Sequence, residues 1–214
     1  MSYRIYRPLD EGEFIVAGYD LAMGGIDNSA CVFISKTRQD VPIVYHENTI
    51  ATVATNALLP MLKHIYEITQ VKPVIAPERN AGGVFEIDRM LSSPYAPFFT
   101  MYQTKTGVGA MDAPDTNKYG WSTDSASRPK MLEELKNAID QRLIAIYDEF
   151  LINEMFSFVV NKTNSSWKAQ AEQNAHDDLV MALAIAWQLY QTEQKPVSQS
   201  TFVPQNNFNP WSLE

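Results

Sequence analysis

Positive charge is in short supply. Seventeen Lys and Arg face 25 Asp and Glu, a net charge of −8 over 214 residues. A protein whose sole task is to hold nucleic acid is usually basic, so a dedicated DNA-binding module is disfavoured. An enzyme with a local basic stripe, or one delivered to DNA by a partner, is not. Cysteine is nearly absent: Cys31 alone excludes a disulfide framework and a cysteine-rich zinc site. No apolar run reaches the length of a membrane-spanning helix, and Met1 to Asp10 is too polar and charged for a signal peptide. Nine glycines are present, none in a Gly-x-x-x-x-Gly-Lys-Ser/Thr arrangement. Lys105-Thr106-Gly107 lacks that pattern, so a nucleotide-gripping loop of this kind is missing. There are no internal repeats.

What is there suffices for one good core: 45% of the chain is hydrophobic. Met1 to Glu13 reads as a polar lead-in arm, residues 14–193 as one domain, and residues 194–214 as a tail of Gln, Asn, Ser and Pro without a core of its own. Within the domain, Phe14 to Leu21 is a nearly continuous apolar run and predicts a central strand. Ala30 to Ser35 and Pro42 to Ile50 predict two more, joined by short turns as an antiparallel meander. Helical spacing follows over Ala54 to Thr69, then a short buried strand at Val74 to Pro77, a helix over Val84 to Leu91 and a strand over Pro97 to Tyr102. Helices between the later strands point to parallel crossovers. Gln103 to Lys118 is a long polar loop. Helices are expected over Ser127 to Ile139 and Asp148 to Phe156, a short strand over Leu143 to Ile146, and a hairpin or loop over Phe158 to Gln173. The last helix begins near Asp177-Asp178, before a run rich in Ala, Leu and Met.

Carboxylates fall at telling places in this pattern. Asp20 ends the first strand, Glu78 ends the strand after the first crossover, and Asp177 and Asp178 open the last helix. Each has an ordinary reading: a turn residue before Gly24-Gly25, a solvated strand end, a pair of helix caps. Taken together they suggest more. In open α/β sheets, sites form beyond the carboxyl ends of the strands. Acids gathered there repel one another unless cations neutralise them, and hard oxygen ligands suit magnesium or manganese. Two such ions about 3.5–4 Å apart can hold both the attacking and the leaving oxygen of a phosphodiester. Asp20 to Gly25 also permits a phosphate-gripping loop of actin-like ATPases, on a chain shorter than those proteins require.

The sequence resembles the C-terminal nuclease domain of the large terminase subunit of tailed phages, a member of the ribonuclease H-like superfamily. Four blocks carry the resemblance: Gly18-Tyr19-Asp20-Leu21-Ala22, Pro77-Glu78-Arg79-Asn80-Ala81-Gly82, Gly120-Trp121-Ser122-Thr123 with Arg128-Pro129-Lys130, and His176-Asp177-Asp178-Leu179-Val180-Met181-Ala182. It implies an α/β fold whose mixed sheet has three antiparallel strands followed by parallel ones, flanked by helices. It implies two-metal cleavage of double-stranded DNA during genome packaging, with magnesium or manganese held by Asp20, Glu78 and an acid of the Asp177-Asp178 pair; of the two, we take Asp178 as the main ligand and Asp177 as auxiliary. It implies partners as well: an ATPase motor domain, the small terminase subunit and the portal protein, in the cytoplasm of the infected bacterial host, with no membrane. The motor's nucleotide loop is not found in this chain, so packaging and ATP coupling are not assigned to it.

Few cations are available to meet DNA. Arg79 beside Glu78, Lys105 in the long loop, and Arg128 with Lys130 at a helix start are the candidates, and Gly82-Gly83 offers backbone N–H groups. Trp121 and His176 read as packed residues. Two rivals stand beside the terminase reading. One is a Holliday-junction resolvase or ribonuclease H. The other is a non-catalytic docking module for portal or motor, for which the tail residues Phe202, Phe208 and Trp211 would serve.

Overall fold

Strand β2 (Ile15–Asp20) divides its side chains by parity. Ile15, Ala17 and Tyr19 enter one hydrophobic core, and Val16 enters the other. Successive side chains of a strand point to opposite faces, so a strand covered on both sides reads as an unbroken apolar run. The computed structural model, which describes residues 3–22, 28–80, 82–104, 118–163, 166–171 and 177–196, places β2 inside a six-stranded sheet. The other members are β1 (Tyr3–Ile5), β3 (Ser29–Ser35), β4 (Asp40–Glu47), β5 (Val74–Pro77) and β6 (Thr100–Met101), in the order β1-β4-β3-β2-β5-β6. β1, β4, β3 and β2 pair antiparallel, and β5 and β6 join in parallel. This is the mixed sheet expected from the sequence.

Helices cover both faces. α1 (Ala51–Thr69) and α2 (Gly83–Leu91) pack on the Ile15 face through Leu58, Leu62, Ile65, Ile87 and Met90. α5 (Asp178–Thr192) lies on the Val16 face against β2 and β3, with α3 (Ser127–Asp140) and α4 (Glu149–Ser157) packed beside it. α5 buries Leu179, Val180, Met181, Leu183, Ile185, Trp187 and Leu189. Each large apolar side chain so buried contributes roughly 1.5–3 kcal/mol, so packing rather than helix propensity holds this element. Two small hairpins, β7 (Gln103–Thr104) with β8 (Lys118–Tyr119) and β9 (Phe158–Thr163) with β10 (Ser166–Ala171), lie outside the main sheet.

α5 touches the sheet most closely at Gly18. A Cβ there would stand 2.1 Å from the Ala182 carbonyl oxygen and 2.5 Å from the Ala186 nitrogen. Glycine in the strand and alanines in the helix therefore let the two backbones meet, and this contact fixes where the helix begins. No helix among the described residues is long and apolar enough to cross a membrane.

Several details differ from expectation. Tyr3–Ile5, within the segment read as a lead-in arm, is the edge strand β1 and pairs with Tyr45, Val44 and Ile43 of β4. The remainder of that segment is tied down by Arg7, which forks onto Asp40 at 2.6 Å through Nε and Nη2 and reaches Glu13 Oε1 at 2.5 Å. Glu13 and Asp40 are buried. The partnership holds the Glu13 carboxyl below its usual range, because hydrogen bonds and charge from Arg7 outweigh burial, the largest single influence, which acts upward. Removing one partner from such a buried group costs about 3–5 kcal/mol. A run of polar letters hid these pairings because each partner lies elsewhere in the chain. Leu143 to Ile146 forms no strand, only an isolated bridge from Ala145 to Asp40. The strand expected over Pro97 to Tyr102 shrinks to Thr100–Met101 after a 3-10 turn at Ala96–Phe98.

Candidate metal centre

Asp20 ends β2, and its neighbour Tyr19 is in register with Pro77 of β5. The Glu78 N–H donates to the Tyr19 carbonyl at 2.8 Å. Gly18 pairs with Ala76, so Asp20 and Glu78, each two residues further on, emerge side by side on the face that α5 covers. Pairing continues past β5: Glu78 bridges Trp121, whose N–H donates to the Pro77 carbonyl at 2.9 Å. α5 begins at Asp178 with Asp177 as its N-cap residue. The sheet and the helix start thus deliver four carboxyls to one place.

Electrostatics record the meeting. The Asp20 carboxyl is pushed well above its usual range, first by burial, then by the charges of Glu78 and Asp178, a hydrogen bond shared with Glu78, and the charge of Asp177. The partners of the others differ. Asp178 Oδ2 accepts from Asn28 Nδ2 at 3.1 Å and from the Asn28 N–H at 3.3 Å. Asp177 is ion-paired with Arg128 of α3. Glu78 Oε1 accepts from Asn80 Nδ2 at 3.2 Å, and the same amide reaches the Thr123 carbonyl at 2.9 Å.

Among the described residues, no three His, Cys, Asp or Glu side chains are gathered closely enough to hold an ion as they stand. The pairings bear on this: Arg128 engages Asp177 and Asn28 engages Asp178, while burial and the neighbouring charges push the Asp20 carboxyl upward. The donor chemistry still fits a hard divalent cation, since the groups brought together are carboxyl oxygens without sulfur. Unit charges 4 Å apart repel by about 4 kcal/mol at an effective dielectric near 20. A bound cation would relieve this repulsion.

A fifth acid escaped sequence reading. Glu154 of α4 accepts the Val180 N–H of α5 at 2.8 Å. Its carboxyl is pushed up to about 8, chiefly by burial, with Asp178 and Asp177 adding to the rise while backbone hydrogen bonds from Val180 and Leu179 oppose it. Asn28 also went unnoticed. Neither carries a sequence signal, because both act across long separations in the chain.

The expected DNA-contacting cations are not all alike. Arg128 faces the cluster. Arg79 follows Glu78 and donates to the Tyr119 carbonyl. Lys130 is exposed and pairs loosely with Glu134 at 3.8 Å. Glu134 in turn accepts from Gln188, ten residues and about 15 Å along α5 from Asp178. Lys105, His176, Gly24-Gly25 and the tail aromatics lie outside the described residues. Trp121 packs against the core, its ring 5.8 Å from that of Tyr102. The Gly83 N–H is already engaged by the Asn80 carbonyl at 2.9 Å.

The fold is ribonuclease H-like: a mixed sheet with helices on both faces and acids at the ends of its two central parallel strands. Its structural neighbours are nuclease domains of large terminases. The large terminase nuclease from thermophilic phage G20c with bound magnesium superposes with a TM-score of 0.64 at 14% identity, over 91% of this chain and 89% of that one. The nuclease domain of the Thermus phage P74-26 large terminase gives 0.60 at 16%, over 92% and 90%. The manganese-soaked human cytomegalovirus terminase nuclease domain gives 0.54 at 13%, over 82% and 83%. No protein-family model matches the chain, and no curated protein matches it.

The raised acids make a pH prediction. Asp20 and Glu154 hold their protons more tightly in the folded than in the unfolded chain. Between 4.5 and about 8 for Glu154, the folded state therefore binds more protons, and stability falls as pH rises. The melting temperature of the metal-free protein should decline from pH 5 to pH 8, and manganese should raise it most at the alkaline end, where no proton competes. A melting temperature that climbs over this range in the absence of metal contradicts the clustering of the acids.

Proposed function

We propose that this chain is the nuclease part of a large terminase: a divalent-metal-dependent endonuclease that cuts double-stranded DNA during viral genome packaging. The observation that carries the reading is the convergence of Asp20, Glu78, Asp177 and Asp178 where two parallel strands end under the start of α5. It is supported by likeness to terminase nucleases solved with bound magnesium, cobalt or zinc, or soaked in manganese.

In this reading Asp20, Glu78 and Asp178 are the principal ligands and Asp177 is auxiliary. Two magnesium or manganese ions, when bound, supply Lewis-acid stabilisation of the attacking and leaving oxygens of the phosphodiester. The residues of the chain do the positioning. Asp20 and Glu78 are held by strand pairing. Asn28 orients Asp178, and Asn80 orients Glu78 while spanning to Thr123. Arg128 and Arg79 meet the phosphates at the rim, and Lys130 and Lys105 are the further cations assigned to DNA contact. A motor ATPase domain, a small terminase subunit and a portal protein are the proposed partners, in the cytoplasm of the infected host.

The test is cleavage of supercoiled and linear duplex DNA by the purified chain, with magnesium or manganese and with excess EDTA. Nicking and linearisation with little sequence preference are expected with metal and none with EDTA. Selective cutting of four-way junctions or RNA–DNA hybrids would favour the resolvase or ribonuclease H reading. Lack of any manganese binding would favour a docking module.

A further inference from the structure

A helix start leaves its first N–H groups without partners inside the helix, and an aspartate at the N-cap ordinarily accepts those of the second and third helical residues. Asp177 occupies the N-cap of α5, yet its side chain makes no capping hydrogen bond. It pairs with Arg128 instead, while Asp178 receives Asn28. The amides that an N-cap aspartate would take are those of Leu179 and Val180. Both interact with Glu154, which reaches in from α4 and receives the Val180 N–H at 2.8 Å. The cap has been moved from the helix's own aspartate to a neighbouring helix.

We propose that Glu154 is a positioning residue that caps α5 from outside and so releases Asp177 from capping, leaving its carboxyl to the cluster with Asp20, Glu78 and Asp178. The proposal rests on the metal-centre reading above. Without Glu154, Asp177 would fold back onto its own helix, as an N-cap aspartate does, and the cluster would lose a member. Glu154 is not itself assigned as a ligand; its role here is the amide of α5 that it receives.

Two variants that preserve the fold separate these roles. Glu154→Gln keeps an oxygen acceptor at the same reach without the titratable carboxyl. Glu154→Asp keeps the carboxyl but withdraws it by about 1.5 Å, one carbon–carbon bond. Manganese affinity by calorimetry should stay within about twofold of wild type in Glu154→Gln and weaken about tenfold in Glu154→Asp, the usual scale for losing a residue that orients a ligand. In the metal-free protein, the Leu179 and Val180 amides should exchange with solvent faster in Glu154→Asp only. Equal affinities in all three proteins overturn the proposal while leaving the metal centre intact. So does a loss in Glu154→Gln as large as that in Glu154→Asp, since the acid itself rather than its capping of α5 would then be at work. A wild-type protein that binds no manganese overturns both readings together.

Discussion

Asp20→Asn should lower metal-dependent DNA cleavage by about a thousandfold, the scale on which a group that stabilises reacting charge is lost, and should raise the melting temperature of the metal-free protein. Both effects come from one cause. Asp20 sits among Glu78, Asp178 and Asp177 and is pushed towards its protonated form by burial and by their charges. An amide of the same size removes the repulsion and with it the ligand. Structures that gather like charges for function give up stability to do so, so activity and stability should move in opposite directions. Glu78→Gln should follow the same pattern. Thermal denaturation in EDTA and plasmid cleavage in manganese measure the two halves. A variant that cuts at the wild-type rate removes Asp20 from the chemistry. One that is inactive but also less stable when metal-free points to a structural role instead.

Gly18→Ala should cost about 2–3 kcal/mol, near the top of the range for overpacking by a small group. At about 2–4 °C per kcal/mol for a domain of this size, the melting temperature falls by roughly 5–10 °C. The methyl would enter the space of the Ala182 carbonyl and the Ala186 amide at 2.1 and 2.5 Å. These are backbone atoms of a helix that also packs against α3 and α4, so neither can move alone. α5 must retreat as a body, and Asp178 moves with it. Manganese affinity should therefore fall along with stability, although Gly18 bears no ligand atom. An unchanged melting temperature would mean that α5 does not pack on β2 as described. Lost stability with intact manganese affinity would mean that the helix start is held independently of this contact.

Sequence and structure agree best where one strand or helix carries its own explanation. The apolar run from Phe14 shows β2 to be covered on both faces. Asp20 and Glu78 stand out because each interrupts such a run at its end, and Asp178 because it is the first of fifteen helical residues. Parity along β2 and the parallel crossover to β5 then place Asp20 beside Glu78 almost without further information. What could not be read is what depends on a distant partner. Tyr3–Ile5 is a strand because β4 has an open edge. Leu143 to Ile146 has a strand's composition but only one bridge to pair with. Glu154 reads as one more acid on a short helix, and its role follows only from the nearness of α4 to α5. Arg128 was legible as a cation near the site. That it engages Asp177 was not.

The order of the acids along the chain has a bearing on when the protein can become dangerous. Asp20 and Glu78 lie in its first half, while Asp178 opens α5, the last described helix of the fold. During synthesis domains tend to fold as units, and α5 supplies much of one of the two cores. A ribosome-bound chain that has not yet released residues 178–192 lacks both the helix that closes the sheet and the acid that completes the cluster. Under the proposed function, folding of this helix and assembly of the acid cluster are then one event, and a polypeptide terminated before residue 178 would cut no DNA.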